Sequence, residues 1–262
     1  MLLKDKVVIV SGIGPGLGHE LALEAARQGA RLAICARTAS KLDAAEQEIL
    51  EAGVKTEILK VPTDIADVEQ CKNLVAKTIE KYGRIDVLIN SAYNPGAFDL
   101  VENADLDGWR AAMDVNLYGT LALTLEVVPH MKKQGGGAIV MINTMVTRRP
   151  LQTQAGYGAS KAALASATQH LALELGPYNI RVNSTYMGWM WGPPVEGYMQ
   201  QQAEETGVSV EDMKAAIAQN IPLRVIPEDG DCAKAAIFLA SDYACAVTGA
   251  ALDVNGGEYL PH

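Results

Sequence analysis

The sequence holds four cysteines, four histidines and no long apolar run, and each shortage removes a class of function. Cys35, Cys71, Cys232 and Cys245 lie far apart, each in or beside an apolar run and without metal-ligand spacing, so they read as reduced, buried thiols. His19, His130, His170 and His262 are too scattered to share an ion, and no metal is expected. The first apolar run, Val7 to Val10, is too short for a signal peptide and far too short to span a bilayer, which points to a cytoplasmic protein with no membrane partner. Lys and Arg number 22 against 31 acidic residues and form no cluster, so nucleic acid is not an expected partner. Neither a low-complexity linker nor a break in composition divides the chain, and residues 1–262 are read as one domain.

What is present is alternation. Short apolar runs rich in β-branched residues occur at Val7 to Val10, Leu32 to Cys35, Glu57 to Val61, Val87 to Ile89, Ile139 to Ile142, Arg181 to Asn183 and Leu252 to Val254. Helix-period stretches lie between them, at Leu17 to Gln28, Ser40 to Glu51, Val68 to Lys81, Trp109 to Lys133 and Ala162 to Leu175. Strand and helix alternating in this way predict an α/β chain with a parallel sheet and helices on both faces. The nearly wholly apolar strands agree, because such a sheet is buried on both sides.

The first strand is followed by Ser11-Gly12-Ile13-Gly14-Pro15-Gly16-Leu17-Gly18. Glycines let the backbone turn tightly and approach a ligand, and the helix start that follows offers free N–H groups to a phosphate. The spacing, Gly12-x-x-x-Gly16-x-Gly18, differs from G-x-G-x-x-G, but its place after strand one favours dinucleotide binding over a plain turn. An acidic residue at the end of the second strand would hold the ribose hydroxyls of NAD. The chain has Ala36 there, followed by Arg37, which favours NADP with NAD as the alternative; the plainer reading is that Arg37 only solvates its loop. Farther on, Tyr157 and Lys161 are four residues apart at the opening of a long helical stretch, so both side chains can face one site. A nearby ammonium favours the phenolate and can make a tyrosine an acid or base for an alcohol oxygen.

These marks together resemble the short-chain dehydrogenase/reductases of the single-domain kind, from about Lys6 to Leu260. The glycine pattern of that family, T-G-x-x-x-G-x-G, is matched by Ser11 to Gly18, and its Tyr-x-x-x-Lys by Tyr157 and Lys161 with Ser160 before the lysine. Asp64, Asn90, Arg181-Val182-Asn183 and Asp253-Val254-Asn255-Gly256-Gly257 also fit. The resemblance implies a Rossmann-type doubly wound sheet of about seven strands and hydride exchange between NAD(P) and a carbonyl or secondary alcohol. It implies a catalytic set of Asn116, Thr144, Tyr157 and Lys161, with Lys161 lowering the tyrosine pKa and Asn116 anchoring water beside it. It implies cofactor contacts from Gly12, Gly14, Gly16, Leu17, Gly18, Arg37, Asp64, Ile65, Asn90, Ala92, Tyr157, Lys161 and Gly188. A homotetramer is the expected assembly. Four positions depart from the family: Thr144 for the catalytic serine, Tyr93 for a glycine, Met187 for the proline before Gly188, and Gly192 for a threonine.

By the same resemblance residues 188–220 form a substrate lid, with Trp189, Met190, Trp191 and Tyr198, joined by Tyr93, as candidate contacts. Such side chains make adaptable apolar pockets, so a fairly bulky apolar ketone or alcohol is the expected substrate; the plainer reading is that they pack the lid onto the body. A 3-oxoacyl-carrier-protein reductase is the runner-up, with Arg148 and Arg149 as a partial basic patch for an acidic carrier. A catalytically silent NAD(P)-binding sensor is the rival of another class.

Overall fold

Seven runs of β-branched and apolar residues pair side by side in the computed structural model, which describes residues 1–261. They form one sheet, β3-β2-β1-β4-β5-β6-β7, with every pair parallel. The strands are β1 Val7–Ser11, β2 Arg31–Ala36, β3 Ile58–Pro62, β4 Val87–Asn90, β5 Gly137–Thr144, β6 Ile180–Met187 and β7 Ala251–Val254. Side chains alternate across the sheet with period two. Val8, Val10, Ile34 and Ile89 pack beneath α1 Leu17–Arg27, α2 Ala39–Glu51 and α9 Asp229–Ala240. Val7, Ile9, Leu88 and Ile139 face α3 Val68–Tyr82, α5 Thr120–Gln134 and α6 Ala155–Leu175. Strand order reverses at β1, which pairs with both β2 and β4. The chain is thus a single doubly wound Rossmann-type domain, and ligands of such sheets bind beyond the strand ends at that reversal.

Several boundaries differ from the sequence reading. The stretch Trp109 to Lys133 is not one helix: α4 Leu106–Met113, capped by the Asp105 carboxylate on the N–H groups of Asp107 and Gly108, runs into a π turn at Asp114–Gly119 before α5. Such widened turns cluster at functional sites, and this one contains Asn116. The helix with the Tyr-Lys pair starts at Ala155, ahead of Tyr157. β6 runs on to Met187 past the polar Ser184 and Thr185, because this end pairs with β7 and the Ser184 hydroxyl donates to the Met141 carbonyl at 3.2 Å. α7 Pro193–Thr206 and α8 Val210–Ala218 follow β6. All four cysteines are free, but Cys245 is exposed, correcting the expectation of four buried thiols; it ends the short turn Asp242–Ala244 on the surface ahead of β7.

Candidate active site

The strand ends at the reversal deliver one long cleft. At one end is the glycine loop. Gly12 has φ +86°, and a Cβ there would lie 2.2 Å from the Ala92 backbone nitrogen, so only glycine lets β1 pass the chain leaving β4. A Cβ on Gly18 would meet the Gly12 carbonyl oxygen at 2.3 Å, which sets how closely α1 docks beneath the loop. Gly14, in contrast, faces open space. No side chain caps α1, and while the His19 N–H donates to the Gly14 carbonyl at 3.2 Å, those of Leu17 and Gly18 remain available to an anion. A cradle of bare backbone over a free helix start suits the pyrophosphate of a dinucleotide.

The cleft continues, about 560 Å³ in volume, past Ala36, Arg37, Lys41, Asp64, Ile65 and Ala92. The α2 carboxylates of Asp43 and Glu46 are held by Lys60 at 2.7 and 2.6 Å, leaving Arg37 and Lys41 outside the ion pairs of the described residues. Lys41 is a second cation that the sequence reading missed; its spacing from Arg37 across the start of α2 was the available signal. Asn90 behaves differently from the expectation. Its amide donates to Thr124 Oγ1 at 3.1 Å inside the core, so its side chain is turned away from the cleft.

The other end of the cleft, about 290 Å³, brings together Thr144, Tyr157, Lys161, Leu17, Gly188 and Met190. Lys161 is buried and donates to the Ile142 carbonyl at 2.8 Å, so the end of β5 holds the ammonium in place. Asn143, another residue missed from sequence, donates to the Lys161 carbonyl at 3.1 Å and accepts from the Thr144 N–H at 2.9 Å, fixing strand to helix. Asn116 does not reach the cleft. At the π turn its amide donates to the Asn94 carbonyl at 2.8 Å and to Ser160 Oγ at 2.9 Å, and its oxygen accepts from the Asn94 N–H at 2.7 Å, so it braces loop against helix. The Tyr93 ring stands edge-on to Tyr157, with centroids 6.3 Å apart.

Burial, rather than pairing, dominates the two titrating groups. It pushes the Tyr157 phenol well above its ordinary value; the nearby Tyr93 adds to the rise, and hydrogen bonding with Thr144 opposes it. The same burial brings Lys161 down to about 8. Tyr157 is therefore a proton-carrying phenol at neutral pH, as a proton donor must be, but its pKa is raised by desolvation rather than lowered by the lysine as the sequence suggests. The lowered lysine has a consequence for stability. Between pH 8 and 10.5 the unfolded chain binds more protons at this residue than the native one, so stability rises with pH through that window, by about 3 kcal/mol. Below pH 8 the burial cost is fully present. Urea unfolding at pH 7.5 and 10 should show wild type gaining on Lys161→Met as pH rises; parallel changes in the two proteins would contradict the assignment.

Of the aromatic and methionine residues expected over the site, Met190 lines the cleft and Trp189 an adjoining side pocket. Trp191 instead packs with Met199, Ile221 and Ile226, its ring covered by the Lys214 ammonium at 3.5 Å, and Tyr198 is exposed. Arg148 pairs with Asp253 and stacks on the Tyr186 ring, and Arg149 pairs with Glu258 at 2.6 Å. Both arginines are thus tied to the C-terminal segment rather than offered as a basic patch.

Asp229, read from sequence only as a helix-start charge, also borders the cleft. Gly192 has an extended backbone, yet a Cβ there would lie 2.0 Å from Asp229 Oδ2. The Asp229 carboxylate, not the backbone conformation, occupies the space a side chain would need. Gly192→Thr should destabilise the fold by about 1–3 kcal/mol, as overpacking does. Adding Asp229→Ala should recover most of that loss in a double-mutant unfolding cycle, and strict additivity would show the contact to be unimportant.

A doubly wound sheet with a bare glycine cradle and a half-buried tyrosine and a buried lysine beyond it defines a nicotinamide-dependent oxidoreductase. The chain belongs to the short-chain dehydrogenase/reductase family, interconverting carbonyl and alcohol groups with NAD(P). A family model described as Enoyl-(Acyl carrier protein) reductase matches residues 12–258. Levodione reductase of Leifsonia aquatica is 31% identical over 256 residues, 97% of this chain and 94% of that one. The 3-oxoacyl-[acyl-carrier-protein] reductase FabG of Thermotoga maritima is 34% identical over 257 residues, covering 98% and 99%. The structure of L-sorbose reductase from Gluconobacter frateurii, complexed with NADPH and L-sorbose, superposes with a TM-score of 0.92 at 26% identity, covering 98% of each chain.

Proposed function

We propose that the enzyme reduces a fairly bulky apolar ketone to a secondary alcohol with NADPH, Tyr157 acting as the proton donor. The observation that carries this reading is the meeting of Thr144, Tyr157 and Lys161 in one cleft that continues to the glycine loop. The cofactor supplies the hydride when bound. Tyr157, whose hydroxyl is held protonated by desolvation, gives that proton to the carbonyl oxygen, and Thr144 hydrogen-bonds the same oxygen. Lys161, anchored on the Ile142 carbonyl, places positive charge beside the phenolate that remains. Asn116 acts at one remove by bracing the helix that carries them. Arg37 and Lys41 suit the 2′-phosphate of NADP, and Gly12, Gly14, Gly16 and the start of α1 suit the pyrophosphate.

Residues 188–220 form the substrate lid in this reading, with Met190, Phe98 and Val195 giving the cleft apolar walls. The paired state of Arg148 and Arg149 favours a free apolar ketone over a substrate borne on an acidic carrier protein, the alternative to which the likeness to FabG points. A cytoplasmic site of action fits four free cysteines. A homotetramer would cover the exposed Leu125 of α5 and Leu173 of α6, and light scattering reads the assembly. The testing experiment is NADPH oxidation with ketones of increasing apolar bulk beside an acyl-carrier thioester. Turnover rising with bulk supports the proposal. Preference for the thioester supports the FabG-like alternative, and tight NADPH binding without any turnover supports a sensor.

A further inference from the structure

One carboxylate of the catalytic cleft is left without a cation. Asp229 opens α9, is half-buried, and borders the same cleft as Tyr157 and Lys161. Its Oδ2 fills the space beside Gly192, where a Cβ would lie 2.0 Å away, and it also faces the glycine loop, where a Cβ on Gly16 would lie 3.2 Å away. Pro194 closes the third side, its Cδ 3.0 Å from that same Gly16 position. The acid is thus wedged against the residue that precedes the first turn of α1, in the cradle that suits a pyrophosphate.

A second carboxylate stands behind it. Glu20, in the first turn of α1 and also half-buried, lies over the start of α9, since a Cβ on Gly230 would come within 2.8 Å of Glu20 Oε2. Among the described residues neither acid forms an ion pair. The charges around them are committed elsewhere or negative. His19 is held by Glu48 at 2.9 Å, Lys234 pairs with Asp231 at 2.6 Å, Arg27 lies nearest Glu24 at 3.9 Å, and Lys161 is anchored on the Ile142 carbonyl. Glu228 on α9 and Glu196 on α7 are exposed carboxylates. The Gly230 N–H favours the charged form of Asp229, but burial outweighs it and holds the carboxyl above its ordinary value. Glu20 is raised too, by burial and then by Asp229. A pyrophosphate in the cradle brings more negative charge to this pair, and like charge raises a carboxyl further.

We propose that Asp229 binds the cofactor in its protonated form, taking up a proton from solvent as the pyrophosphate enters and donating a hydrogen bond to a phosphate oxygen. A group whose pKa is higher in the complex than in the free enzyme gains a proton on association. NADPH affinity therefore rises as pH falls through the interval between the two values. The inference rests on the reading of the glycine loop as the pyrophosphate cradle.

The test titrates NADPH by fluorescence between pH 6 and 8 into wild type and Asp229→Asn, which keeps shape and a hydrogen-bond donor but carries no charge. The ratio of wild-type to variant Kd should rise about tenfold from pH 6 to pH 8, the effect of a shift of about one pKa unit. Lys161 and the 2′-phosphate of NADPH also titrate near this range, but in both proteins alike, so the ratio reads Asp229. Asp229→Ala should show the same loss of pH dependence with weaker binding than Asp229→Asn at every pH, because the donor is gone. Glu20→Gln should reduce the rise without abolishing it. Calorimetry at pH 6.5 in two buffers of different ionisation enthalpy should show wild type taking up more protons per NADPH than Asp229→Asn. Parallel pH profiles, or equal proton uptake in the two proteins, would overturn the inference. Failure of NADPH to bind at any pH would instead overturn the reading of the cradle itself.

Discussion

Replacing Tyr157 with phenylalanine is expected to lower kcat by about 10³-fold, within the range for loss of a positioned general acid, while NADPH binding stays within a few-fold of wild type. The ring packs as before against Tyr93 and only the hydroxyl is lost, so the change isolates proton donation from shape. Stopped-flow turnover and fluorescence titration of NADPH measure the two quantities separately. Retention of more than a tenth of the wild-type kcat would mean that another group or solvent protonates the product oxygen. Thr144 is the neighbouring hydroxyl, so Thr144→Val in the same background shows whether it takes over.

The second large effect is on cofactor choice. Arg37→Ala should cut kcat/KM for NADPH about 10- to 100-fold and leave that for NADH nearly unchanged, because a hydrogen bond to a charged group contributes about 1.5–3 kcal/mol. Ala36→Asp added to Arg37→Ala supplies a carboxylate for the ribose hydroxyls and should invert the preference. The wild-type preference should shrink with added salt, since Arg37 is exposed and its field is screened. Equal losses with both cofactors in Arg37→Ala would mean that the arginine orders the loop instead of reading the phosphate.

Where the sequence was legible, the physics was local. The glycine loop could be read because backbone crowding at Gly12 and Gly18 leaves a direct mark on residue choice. Tyr157 and Lys161 could be paired because helical spacing alone puts them on one face. The contacts of Asn116 were not legible: its partner Asn94 is 22 residues away and the π turn that aims it leaves no periodic signature. Gly192 looked like a missing threonine until Asp229, 37 residues on, appeared beside it. Arg148 and Arg149 looked like a free basic patch because their partners, Asp253 and Glu258, are more than 100 residues away. The direction of the tyrosine shift was missed for a similar reason. Desolvation of the hydroxyl sets that direction, and desolvation is a property of the assembled fold.

The most direct test of the central claim is isotopic. NADPH carrying deuterium at both C4 positions is oxidised by wild-type enzyme with an accepted ketone, and the alcohol is analysed by mass spectrometry. The account predicts one deuterium on the carbinol carbon of each product molecule, with the hydroxyl proton drawn from the Tyr157 and solvent pool. NADPH consumed without deuterium in the alcohol would contradict it.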